Sequence, residues 1–89
     1  MLFRSIMNNI DMIDIFLGVL AIGRSRHYSV SIDYDTEMQY VDIFLWYSPT
    51  EHTVEIADKL SNRTHTVQEI TETMADWHKT VRKDREAYA

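Results

Sequence analysis

The sequence predicts a two-layer α+β domain with the element order α-β-β-β-α. Three features carry that expectation: apolar residues at helical spacing from Ile10 to Ile22, alternating segments between Tyr28 and Ala57, and one apolar stripe from Val67 to Val81. Strands in succession joined by short turns build an antiparallel sheet, and terminal helices that stack on one face of it complete two layers. With 89 residues, one proline and two glycines, the chain reads as one small domain over 1–89.

The first helix opens at Asn8 and Asn9, whose side chains suit an N-cap, and places Asp11 and Asp14 in its first turns at the positive end of the helix dipole. Ile10, Ile13, Phe16, Leu17 and Leu20 recur at intervals of three and four, the spacing of a buried face, with Ile22 a further candidate for it. Gly23 stands where helices commonly stop. Met12, Ile15 and Val19 are apolar too, so this helix needs cover on more than one side, from its own fold or from a second copy.

Tyr28 to Tyr34 alternates without a fault, with Tyr28, Val30, Ile32 and Tyr34 on one face and Ser29, Ser31 and Asp33 on the other. The polar run Asp35 to Met38 is a turn, and Tyr40 to Tyr47 is the second strand. Pairing Tyr34 with Gln39 sets Ile32 against Val41, Val30 against Ile43 and Tyr28 against Leu45, which aligns the apolar faces. Ser48-Pro49-Thr50-Glu51 is a second turn, and Thr53 to Ala57 alternates around Val54 and Ile56 as a short third strand. Asp58 to His65 reads as a polar connection. Thr66 and Glu69 have the spacing of a capping box, and Val67, Ile70, Met74, Trp77 and Val81 form the stripe of the last helix.

The double-stranded-RNA-binding domain shares this element order. Its second helix, however, opens with a lysine-rich phosphate-binding segment, whereas Thr66 to Thr73 holds Glu69 and Glu72 and no cation.

Composition and spacing exclude several chemistries. The chain has no cysteine, hence no disulfide, thiolate nucleophile or cysteine zinc site, which fits a reducing, cytoplasmic setting. Fourteen acids against nine bases give a net charge of −5, the wrong sign for coating nucleic acid or an anionic membrane. The Ile10 to Ile22 run carries two aspartates and is shorter than the ~20 apolar residues of a spanning helix. Arg4 is answered by those aspartates and no cleavage pattern follows, so no secretory leader is expected, and the sequon Asn62-Arg63-Thr64 is read as a chance match. His27, His52, His65 and His78 lack metal-ligand spacing, and Asp33-x-Asp35-x-Glu37 opens like a calcium loop but has Met38 and Phe44 where glycine and glutamate are required. Gly18 and Gly23 both belong to the first helix, leaving no glycine-rich turn for an oxyanion hole or a phosphate. No catalytic residue, metal or cofactor is expected.

What remains is surface. The sheet face unused by the apolar register carries Tyr40, Asp42, Phe44 and Trp46 on strand two, flanked by Asp33 on one side and by Thr53, Glu55 and Ala57 on the other. Two helices on the opposite face would expose this cluster, and one helix per face would bury it. Exposed, it forms an aromatic patch rimmed by acids, suited to a protein partner with a basic surface. The leading expectation is therefore a small acidic inhibitor or adaptor that acts by contact. In size and charge it is similar to small acidic inhibitors from phages and mobile elements. A second reading is a nucleic-acid contact at Lys79, Arg82, Lys83 and Arg85 on the last helix, although cations there also suit the helix dipole. A third is a structural homodimer closed by Ile15 and Val19 on the first helix.

Overall fold

The computed structural model describes residues 7–88; the N-terminal segment around Arg4 and residue 89 lie outside the described residues. Within them the order is α1 (Asn9–Ile22), β1 (Tyr28–Asp35), β2 (Tyr40–Thr50), β3 (Thr53–Ser61) and α2 (Val67–Ala87), with one antiparallel sheet ordered β1-β2-β3. The predicted α+β class and element order are those of the structure.

Local chemistry explains the helix starts. The Asn8 side chain accepts from the Asp11 backbone N–H at 2.8 Å and the Asp11 carboxylate accepts from the Asn8 N–H at 3.3 Å, a reciprocal capping box. Thr66 and Glu69 build the same device on α2. The Thr66 backbone N–H and hydroxyl, both bonded to the Glu69 carboxylate, hold that carboxyl below the ordinary carboxylate range.

Both helices lie on the same face of the sheet. The core joins Met12, Ile15 and Ile22 of α1, Ile70, Met74, Trp77 and Val81 of α2, and Val41, Ile43, Leu45 and Leu60 of the sheet. α2 buries its predicted stripe from Ile70 to Val81, with Val67 at the helix start only half-buried. α1 does not: Ile10, Ile13, Leu17 and Leu20 are 70%, 57%, 57% and 75% exposed, and the buried side is that of Met12, Ile15 and Ile22. A helix apolar on every side gives periodicity no means of choosing which side faces in. Gly18 lies where α1 meets α2, and a β-carbon there would come within 2.7 Å of the Met74 methyl, the movable end of a flexible side chain.

The β1–β2 hairpin keeps the expected faces but pairs two residues further along. Asp35 is opposite Tyr40, Tyr34 opposite Val41, Ile32 opposite Ile43 and Val30 opposite Leu45. The reason is the turn. The Asp35 carboxylate accepts from the N–H groups of Glu37 and Met38 at 3.0 and 3.1 Å, and Gln39 takes a left-handed φ of 57°. The second turn also moves, to Glu51 and His52, and Pro49 lies in a register irregularity of β2 where no ladder N–H is required.

β3 runs to Ser61, four residues past its expected end, and a bulge interrupts it. Leu45 is opposite Asp58 but Trp46 is opposite Ile56, leaving Ala57 without a counterpart. Beyond Ser61, Asn62 stays in the fold at 1% exposure. Its Oδ1 accepts from the Val41 N–H, and its Nδ2 donates to the Gln39 carbonyl, each at 3.0 Å. An amide so enclosed is no glycan acceptor in the folded chain.

Candidate interaction surface

The bulge determines what the second sheet face presents. Central strand β2 directs Val41, Ile43 and Leu45 to the helices, so Tyr40, Asp42, Phe44 and Trp46 stand on the other face. Their neighbours on β1 are Asp35, Asp33, Ser31 and Ser29; on β3, Ser61, Lys59 and Ile56 sit opposite Asp42, Phe44 and Trp46. Neither helix contributes to this side.

Three expectations for β3 change as a consequence. Glu55 is opposite Tyr47, on the helix side of the sheet, and does not rim the aromatic residues. Ile56 and, by alternation, Val54 take its place, at 51% and 62% exposure. Lys59 and Arg63, from the segment expected to be a connection, join the face. The one-residue slip at Ala57 is invisible to alternation, because Val54, Ile56 and Leu60 all fall on even positions and suggest a single buried side.

The face has a definite internal order. Phe44 and Trp46 stack with ring centroids 5.7 Å apart and planes 28° from parallel, and the Trp46 indole N–H donates to Ser31 Oγ at 2.8 Å. Lys59 Nζ lies 5.3 Å from the Phe44 ring, and the Arg63 guanidinium 4.7 Å from the Tyr40 ring. Arg63 Nη2 also donates to both Asp42 oxygens, at 3.2 and 2.9 Å. Partial burial works to raise the Asp42 carboxyl. Hydrogen bonds from Ser61 and Arg63 and the charges of Arg63 and Lys59 outweigh it and hold the group low. Arg63 thereby relieves the cross-strand pair Asp33 and Asp42, two like charges placed opposite one another. Asp33 and Asp35 remain exposed and, with Tyr40, Asp42 and Arg63, line an open polar depression of about 460 Å³. The result is an apolar strip of Trp46, Phe44, Ile56 and Val54 with a polar cup at one end.

The other expected sites fall elsewhere. Lys79, Arg82 and Lys83 are exposed on α2, in the helix layer and thus on the opposite side of the sheet from Phe44 and Trp46. Arg85 is engaged within the fold. Its Nη2 donates to the Ile22 carbonyl at 2.7 Å and its Nε to the Arg24 carbonyl at 3.2 Å, capping the negative end of α1. The basic helix end and the aromatic strip therefore do not form one contiguous surface. Ile15 is 1% exposed and Val19 packs against the core, so the apolar face that α1 leaves open is the one opposite them.

A second polar cluster fastens β1 to α2. The Asp84 carboxylate accepts from the His27 backbone N–H at 2.9 Å and meets His27 Nδ1 at 2.7 Å. Burial works to raise the Asp84 carboxyl, but hydrogen bonds from Ser25 and His27 and the charge of His27 prevail and hold it low. The His27 ring stands edge-on to Tyr88, with centroids 4.7 Å apart. Since Ser25 bonds to the carboxylate as His27 does, the three do not form a relay from hydroxyl to imidazole to acid.

Among the described residues no helix is long and apolar enough to cross a membrane. No family model, curated protein or solved structure matches the chain.

Proposed function

We propose that the protein is a non-catalytic binding module, an inhibitor or adaptor that occupies a protein partner through the open face of its sheet. The observation that carries this reading is the placement of both helices on one side, which leaves the Phe44–Trp46 stack, Ile56 and Val54 uncovered on the other. Half-buried aromatics beside exposed aliphatics, within a polar rim, have the makeup of an interface centre. Lys59 and Arg63 already lie over aromatic rings, whereas Asp33 and Asp35 are exposed. The complementary partner brings an apolar side chain to the strip and a cation to the cup, in keeping with the acidic balance of the chain. A cysteine-free chain fits a reducing compartment, and we place its action in the cytoplasm.

The test is affinity capture from source-cell lysate, with and without nuclease, using wild-type bait and the Trp46→Ala/Ile56→Lys double variant. The expected result is a nuclease-resistant protein retained at fixed stoichiometry by the wild type. It should be lost with the variant, whose melting temperature stays within a few degrees. Truncating a central aromatic of this kind weakens binding by about 2 kcal/mol or more. Equal capture by both baits would sink the reading, and retention that disappears with nuclease would replace it with a nucleic-acid reading.

A further inference from the structure

The unburied side of α1 is a second surface, one the sheet-face reading leaves unused. At about 100° per residue, Met12, Ile15, Val19 and Ile22 fall on the side turned inward, and Ile10, Ile13, Leu17 and Leu20 fall directly opposite. Those four are more than half exposed, and Phe16 at their border is 38% exposed. Single exposed leucines on a protein surface are ordinary, but an unbroken row at spacings of three, four and three is not.

We propose that this row receives a second copy of the chain, giving a two-fold dimer closed by paired α1 helices. Positions 10, 13, 17 and 20 are successive a and d positions of a heptad, the spacing with which one helix packs against an equivalent helix. The row meets its own copy with every apolar residue matched, as a two-fold interface requires. Each of these side chains has on the order of 100 Å² to bury, so with Phe16 two copies close roughly 1,000 Å², the lower bound for a specific interface. A lipid surface fits less well, because α1 carries Asp11 and Asp14 and no cation, whereas interfacial helices are rich in lysine and arginine. Charge also selects the direction. In an antiparallel pair Asp14, at an e position, faces Asp14 of the other copy; in a parallel pair it faces the flank of Asn9 and Phe16. The pair is parallel, and two heptads make it weak, with a dissociation constant on the order of micromolar. Because α1 lies in the helix layer, the two open sheet faces point outward, and a dimer of the proposed binder is bivalent.

The dimer can be tested without any partner. Sedimentation equilibrium of the wild-type chain at about 100 μM should give twice the chain mass, and Leu17→Glu, unchanged in far-ultraviolet circular dichroism, should give monomer, at least a tenfold loss of association. Trp46→Ala should remain dimeric, which separates failure of this inference from failure of the sheet-face reading. In this cysteine-free chain Leu20→Cys should oxidise to a covalent dimer. Cross-linking only between Ile10→Cys and Leu20→Cys would overturn the parallel direction. A wild-type monomer, a Leu17→Glu dimer, or co-sedimentation of the wild type with phosphatidylserine vesicles would each overturn the proposal.

Discussion

Asn62 and Asp84 show how much one polar side chain holds in a domain this small. Asn62 closes the end of the β2–β3 ladder from a fully buried position, so Asn62→Ala leaves the Val41 N–H buried without its acceptor. That change should cost about 2–3 kcal/mol, read as a lower urea midpoint at unchanged slope. A loss below a few tenths would mean that the amide is dispensable. Asp84 adds a pH dependence. Its folded carboxyl is held below the ordinary value near 4, so its contribution is complete above that value and is lost as pH falls through the folded one. Asp84→Asn should lose about 2 kcal/mol at neutral pH and show a shallower acid limb in stability against pH. Superimposable acid limbs for variant and wild type would refute the assignment. Neither role is visible in sequence, since Asn62 lies in what looks like a loop and Asp84 among the charges of a helix end.

Elements differ in legibility for reasons that trace to particular residues. β1 and α2 are plain because each has one apolar and one polar side, and because Thr66 and Glu69 mark where α2 begins. The hairpin partners are right in face and two residues off in register, because the Asp35 carboxylate builds the turn and hydrophobic matching tolerates a shift of two. α1 is legible as a helix but not in orientation, and β3 is legible in neither its end nor its faces once Ala57 slips the pairing. The aromatic half of the candidate surface follows from Tyr40 to Trp46; its β3 half does not. β3 offers a direct check. With Ile56 on the open face, Ile56→Thr should cost less than about 1 kcal/mol, whereas Leu60→Ala, 1% exposed opposite Ile43, should cost about 2–5. Comparable losses at the two sites would place Ile56 in the core and refute the bulge.

On the scale of the whole molecule, the two layers turn different chemistry outward. The sheet side presents aromatics, aliphatics and a charged cup; the helix side presents the α1 row and the cations of α2. The sheet-face reading therefore predicts that Lys79→Ala, Arg82→Ala and Lys83→Ala combined change partner affinity by less than about threefold, since rim or remote charges contribute little. A loss of tenfold or more would draw the basic helix end into the site.

The link from Arg85 to the Ile22 carbonyl joins positions 63 residues apart and supplies the cation that the last turn of α1 lacks. Contacts this distant along a chain close slowly, because the loop between them must first be ordered. In synthesis α1 precedes α2, so its carboxyl end waits for the 63 residues that lead to Arg85. Of the two helices, the one made first is the one finished last, and until then the side of Met12, Ile15 and Ile22, which the fold later buries, is as open as the row that stays outside.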